Sequence, residues 1–206
     1  MTTALTTRHT GLVGPDQWTI MRDQAAILVK SGLLPSTVNT PEKAVAIMLK
    51  GSELGIPPMY ALSNIVVIQG KPTANAELML ALIYRDHGDG AIQFARSDNA
   101  TCTVSYSRRT WTERQTFSFS LDDAKQAGLL SNATWQKYPA AMLRARAISA
   151  VARMAFPDSI GGMYTPEELG AAVAVNGDTG EIVIDAQEVP AESTPGRAVA
   201  VGERRA

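Results

Sequence analysis

Residues 135–156 constrain the fold more than any other stretch of this chain. They read Trp-Gln-Lys-Tyr-Pro-Ala-Ala-Met-Leu-Arg-Ala-Arg-Ala-Ile-Ser-Ala-Val-Ala-Arg-Met-Ala-Phe. The run predicts one long helix. Pro139 is tolerated in a first turn, where its missing N–H has no helical partner to lose. Strong helix formers follow it, and Pro157 ends the run. On a helical projection Leu143, Ala147, Ala150 and Met154 share one face, while Ala141, Ala145, Ile148 and Ala152 share another. An ordinary surface helix has one apolar stripe. Two such faces, one nearly all alanine, predict a helix packed on both sides.

Basic residues emerge at the edges between those faces, Lys137 with Arg144 and Arg146 with Arg153. No acid lies between Trp135 and Phe156, so these arginines have no local partner. Exposed guanidiniums on a rigid element suit a polyanion. The competing reading is a core helix whose arginines meet carboxylates brought from elsewhere in the fold.

Charge elsewhere sharpens that choice. The net charge of the 206-residue chain is −1, yet residues 96–153 hold nine bases against four acids. From Gly170 onward there are six acids and three bases. Such asymmetry points to a nucleic-acid partner for the middle of the chain. The single Cys102 excludes an internal disulfide and fits a reducing compartment. One cysteine with two distant histidines, His9 and His87, argues against a zinc site. No signal peptide is expected, because no apolar run follows Arg8 and His9, and no stretch is long enough to span a membrane.

The chain order reads as follows. Residues 1–15 form an arm, and a helix runs from Asp16 to Lys30. Thr40 caps a second helix with Pro41 at its first position, which runs to about Leu54. Residues 64–69 are a buried strand, Gly70-Lys71-Pro72 is a turn, and Thr73 caps a helix to about Arg85. Three strands follow, 91–96, 101–108 and 113–120, the second with Cys102, Val104 and Tyr106 alternating against polar residues. Ser120-Leu-Asp-Asp123 resembles a capping box. Gly161-Gly162 reads as a flexible link. Thr165 to Glu168 opens a short helix with Thr165 as cap. Beyond about Val175 the composition predicts a disordered tail.

No phosphate-cradling loop is present: Gly51-Ser-Glu-Leu-Gly55 lacks the Lys-Ser/Thr of a P-loop. The acids Asp86, Asp89, Asp98, Asp122 and Asp123 raise the alternative of a metal-dependent nuclease, although each has an ordinary place in a turn or helix start. Arg108, Arg109, Trp111 and Arg114 make a basic hairpin with an aromatic, read either as a clamp on a phosphate backbone or as a solvated tip that resists edge pairing.

Several segments together resemble the RecT/Red-beta family of phage recombinases. They are Lys43 to Pro58, Ile68-Gln-Gly-Lys-Pro72 leading into Ala76 to Leu80, the Trp135–Asp158 stretch, and Gly162-Met-Tyr-Thr-Pro-Glu-Glu168. The likeness covers roughly residues 15–170. It implies an α+β fold, with a small antiparallel sheet packed on a long central helix beside an N-terminal helical lobe. It also implies annealing of single-stranded DNA in the bacterial cytosol without ATP or any other cofactor, and no catalytic residue. The partners implied are single-stranded DNA and the annealed duplex, and further copies of the chain in rings or helical filaments. A host replication protein or a phage exonuclease is a further partner. A replication accessory that binds double-stranded DNA is a second alternative. The phosphate contacts expected are Lys71, Arg108, Arg109, Arg114, Lys137, Arg144, Arg146 and Arg153. Of these, Arg144, Arg146 and Arg153 lie in the matched motif. The annealing core is expected over residues 16–170 and the tail over 171–206, the tail serving as a passive solubilising segment, or with its acids facing a basic groove, or with its apolar residues facing a partner.

Overall fold

The computed structural model describes residues 14–169 together with the two-residue strands Ala174–Val175 and Ile182–Val183. Most of the expected arm and tail therefore lie outside the described residues.

The N-terminal lobe is helical. Helix α1 (Pro15–Lys30) packs on α2 (Pro41–Glu53), which packs on α3 (Pro58–Asn64). Helix α2 starts as its sequence dictates: the Thr40 hydroxyl accepts from the Lys43 N–H at 3.3 Å, and Pro41 fills the first position. Its inner face, Ala44, Val45, Ile47, Met48 and Gly51, is buried.

A hairpin leads out of this lobe. Strand β1 (Ile65–Ile68) pairs antiparallel with β2 (Lys71–Ala74), and the turn is Gln69-Gly70, both with positive φ (50° and 73°). Such a pair suits the right-handed twist of a two-residue hairpin. This corrects the expected turn at Gly70-Lys71-Pro72, since Lys71 and Pro72 are strand residues. The cap moves as well. Thr73 is buried and donates its hydroxyl to the Val66 carbonyl at 3.0 Å, while Asn75 accepts from Leu78 N–H at 2.9 Å and caps α4 (Ala76–His87). Proline in a strand hid this hairpin from a composition-based reading.

The second half is a three-stranded antiparallel sheet, β3 (Ile92–Ser97), β4 (Thr101–Tyr106) and β5 (Gln115–Ser120), with β4 in the centre. Cys102, Val104 and Tyr106 face the core as their alternation requires. The Ser120–Asp123 capping box starts α5 (Leu121–Gln126) with both of its hydrogen bonds formed.

The long helix is real but shorter than expected. Asn132 caps α6 (Ala133–Lys137), and the chain breaks at Tyr138 (φ −131°, ψ 56°) before α7 (Pro139–Ala155). The ring of Pro139 forces this break, because the residue before a proline is pushed out of the α region. At the far end Phe156 leaves the helix, and Pro157 starts α8 (Pro157–Ile160). Helix α7 packs against α4 and against all three strands of the sheet. Met142, Leu143, Ala145, Ala147, Ile148, Ser149, Val151, Ala152 and Ala155 are buried. On a helical projection they cover about 260° of the circumference. The prediction of two-sided burial thus holds, with one correction: Met154 is 58% exposed.

Beyond α8, Gly161 and Gly162 take left-handed conformations in a defined turn whose Gly161 carbonyl accepts from Lys50 Nζ at 3.0 Å. The expected short helix follows as a 3-10 helix (Pro166–Leu169), with the Thr165 N–H donating to Glu168 at 3.2 Å. Strands β6 (Ala174–Val175) and β7 (Ile182–Val183) pair antiparallel.

Gly51 tests the packing of the N-terminal lobe. A Cβ there would meet the Ala61 Cβ at 2.5 Å. Glycine to alanine inside a helix ordinarily gains about 1 kcal/mol. Gly51→Ala is expected to lose about 1–3 kcal/mol instead, through overpacking of α2 on α3. Denaturant unfolding of the two proteins measures the sign.

Candidate nucleic-acid interface

A narrow seam runs between the buried faces of helix α7, and Arg146 and Arg153 occupy it, two turns apart. Their side chains are 35% and 38% exposed. Between them sits Glu168. Its Oε1 accepts from Arg146 Nη1 at 3.2 Å and from Arg153 Nη2 at 3.0 Å, although the side chain is only 5% exposed. The carboxylate also accepts from the Ser149 hydroxyl at 3.2 Å through Oε1 and from the Thr165 N–H at 3.2 Å through Oε2. The two arginines therefore lack partners only in the local sequence. The carboxylate arrives from the turn after α8. Burial pushes the carboxyl of the adjacent Glu167 up, and the nearby Glu168 and Glu77 push it further.

Aromatic rings extend the seam in both directions. The Arg153 guanidinium lies 5.5 Å from the centre of the Tyr164 ring, and Lys71 Nζ lies 5.3 Å from the same ring. Tyr164 is anchored to β2, because its carbonyl accepts from the Ala74 N–H at 2.9 Å and it bridges to Thr73. On the other side Arg146 stands 5.9 Å from Phe119, which packs edge-on against Trp135 at 6.4 Å. The result is a strip of Lys71, Tyr164, Arg153, Glu168, Arg146 and Phe119, drawn from β2, α7, β5 and the segment after α8. Cations beside aromatic faces are what a single strand with exposed bases requires.

The other expected residues fall elsewhere. Lys137 is exposed at the end of α6, 5.1 Å from the ring of Tyr138. Arg144 projects on the sheet side of α7, near Cys102; it favours the thiolate there, but burial dominates and pushes that thiol up. The hairpin arginines are committed to holding the hairpin. Arg108 makes a two-pronged pair with Asp158 at 2.9 and 2.6 Å, donates to the Ala155 carbonyl at 2.8 Å, and lies over Phe156. Arg114 donates to the Ser105 hydroxyl and carbonyl and to the Gly90 carbonyl at 2.7–2.8 Å. Arg109 is exposed, as is Trp111 beside it.

The acids that suggested a nuclease are dispersed. Asp98 accepts from the Ala100 and Thr101 N–H groups and from Arg96, which together hold its carboxyl at about 2. Asp123 belongs to the capping box, and Asp86 pairs with Arg85 at 2.8 Å. Among the described residues no three of His, Cys, Asp or Glu gather where they could hold a metal ion. Among them, too, no helix is long and apolar enough to cross a membrane.

Residues 90–181 match the model of the RecT family, a span that runs from the sheet through α7 to the Glu168 turn and beyond. Over that span the chain is similar to the RecT family. This family points to single-strand annealing in DNA recombination. No curated protein matches the chain. The matched segment contains every expected contact except Lys71, which lies on the preceding hairpin. Sequence reasoning did not single out Tyr164, Glu168, Phe119 or Asp158 as site residues. The sequence shows Glu168 only as a helix-start acid, and its role depends on a contact across 15 to 22 residues.

The Arg108–Asp158 pair carries a pH signature. Hydrogen bonding to Arg108 holds the Asp158 carboxyl below the ordinary carboxylate range. A carboxyl depressed in the folded state stabilises the fold above its unfolded value of about 3.9, and that contribution is lost as pH falls through the folded value. Arg108→Ala is therefore expected to lower the melting temperature at pH 7 and to flatten its fall between about pH 5 and pH 2. Thermal unfolding followed across that range measures both.

Proposed function

We propose that this chain binds single-stranded DNA along the α7 seam and anneals it to a complementary strand. The observation that carries the reading is the strip itself: Lys71, Arg146 and Arg153 gather around Tyr164 and Glu168 on the seam of a largely buried helix. Annealing is non-covalent. It needs cations to offset repulsion between two phosphate backbones, and bases left free to pair. In this reading Lys71, Arg146 and Arg153 contact phosphates directly, with Lys137 and Arg144 extending the positive field at the start of α7. Arg109 contributes from the hairpin, whereas Arg108 and Arg114 mainly brace it and have a secondary share in phosphate contact. Tyr164 and Phe119 supply apolar faces between the charges.

The reading needs no nucleotide, since no phosphate-cradling loop occurs in the sequence, and no catalytic group. It places the activity in residues 16–170, with the arm and the tail as accessories. It is compatible with assembly of several copies along DNA in the bacterial cytosol. Host replication proteins or a phage exonuclease are further partners in this reading.

Two measurements test it. Complementary oligonucleotides are expected to anneal with the protein in EDTA and without ATP; a requirement for ATP hydrolysis overturns the reading. The affinity for an unstructured oligonucleotide is expected to fall with salt at about 0.7 logarithmic units per phosphate contact, so Arg146→Ala with Arg153→Ala lowers the slope by about 1.4. An unchanged slope in a folded protein removes the seam from the binding face.

A further inference from the structure

Arg146 and Arg153 would not hold a fixed geometry by themselves. They are like charges on one helix edge, each on a long side chain with large rotamer freedom. Glu168 supplies the geometry. One oxygen of its carboxylate accepts from both guanidiniums, at 3.2 and 3.0 Å. The carboxylate cannot easily swing away, because the Ser149 hydroxyl and the Thr165 N–H also hold it and the side chain is 5% exposed. A guanidinium carries five N–H donors. One nitrogen of each arginine meets Glu168, and both side chains stay more than a third exposed. The triad has a net charge of +1, so it still attracts an anion.

We propose that Glu168 is a positioning residue for nucleic acid. Its carboxylate fixes the Arg146 and Arg153 guanidiniums side by side, so that one phosphodiester strand meets two cations already ordered. This rests on the reading of the α7 seam as the DNA face. The physical gain is preorganisation: rotamer entropy lost on folding is not lost again on binding. The same segment places the third cation, since Tyr164 stands between Arg153 and Lys71. The residues from Tyr164 to Glu168 thereby set the spacing of three cations contributed by two other elements.

A purely electrostatic view predicts the opposite sign. Deleting a carboxylate from a basic face should tighten binding to a polyanion. Positioning predicts that Glu168→Gln weakens binding although the protein gains a positive charge.

The experiment is fluorescence anisotropy with a labelled oligo-dT strand over a salt series, on the full chain. Glu168→Gln is expected to lower the affinity about tenfold. The salt slope should fall by about 0.7, one contact's worth. In the Arg146→Ala/Arg153→Ala protein, adding Glu168→Gln is expected to change nothing further, because its effect runs through those side chains. Ser149→Ala loosens the carboxylate without altering charge and is expected to give a smaller loss of the same sign. That variant decides the matter if Glu168→Gln does not fold, as judged by its melting curve. Tighter binding by Glu168→Gln overturns the positioning role alone, provided the arginine variants are weakened. An equal loss in the arginine-free background does the same. Unchanged affinity in the Arg146→Ala/Arg153→Ala protein overturns the DNA face, and the role of Glu168 with it.

Discussion

The structure depends on one helix being covered nearly all the way round. Alanines at 145, 147, 152 and 155 let the backbone of α7 lie close to its neighbours, and larger side chains such as Leu143, Ile148 and Val151 fill the remaining space. Burial on that scale is the main favourable term in folding. It also dictates where charge can go. A helix packed against α4 and against the sheet offers polar groups only its seam and its ends. Arg146 and Arg153 stand on the seam, where both guanidiniums keep contact with water.

The same constraint explains the shape of the Glu168 site. A carboxylate 5% exposed is costly unless its lone pairs are satisfied and its charge is matched. Glu168 meets both conditions with two guanidiniums, a hydroxyl and a backbone N–H. The hairpin arginines solve a different problem. Arg108 and Arg114 tie the β4–β5 loop to Asp158, Ala155, Ser105 and Gly90, so most of their donors are spent inside the fold. Basic residues that look alike in sequence thus divide into braces at the hairpin and exposed cations on the seam.

Much of the architecture was legible before any coordinates. The cap at Thr40, the capping box at Ser120, the alternation along β4 and the two-sided burial of α7 all follow from local chemistry, and all are present. The misses share a cause. Lys71 and Pro72 read as a turn because proline argues against strand, yet Pro72 sits in a two-stranded hairpin next to its turn. Pro139 does suit a first turn, but the turn belongs to a new helix, because its ring breaks the run at Tyr138. The site was half legible. Composition and spacing flagged the arginines, but which of them face carboxylates is a matter of long-range contact. Glu168 and Asp158 come from outside the helix, and no periodicity announces them.

The bridge between Thr73 and Tyr164 has a consequence for how the protein is made. It joins residues 91 apart in the chain and helps to set Tyr164 beside Lys71. Long-range closure comes late when a chain folds as it leaves the ribosome. A nascent chain that has emerged as far as Phe156 already carries the sheet residues, the whole of α7 and all its arginines. It has neither the ring that separates Arg153 from Lys71 nor the carboxylate that joins Arg153 to Arg146. Without the residues after Phe156 the chain keeps these cations but lacks the groups that hold them side by side.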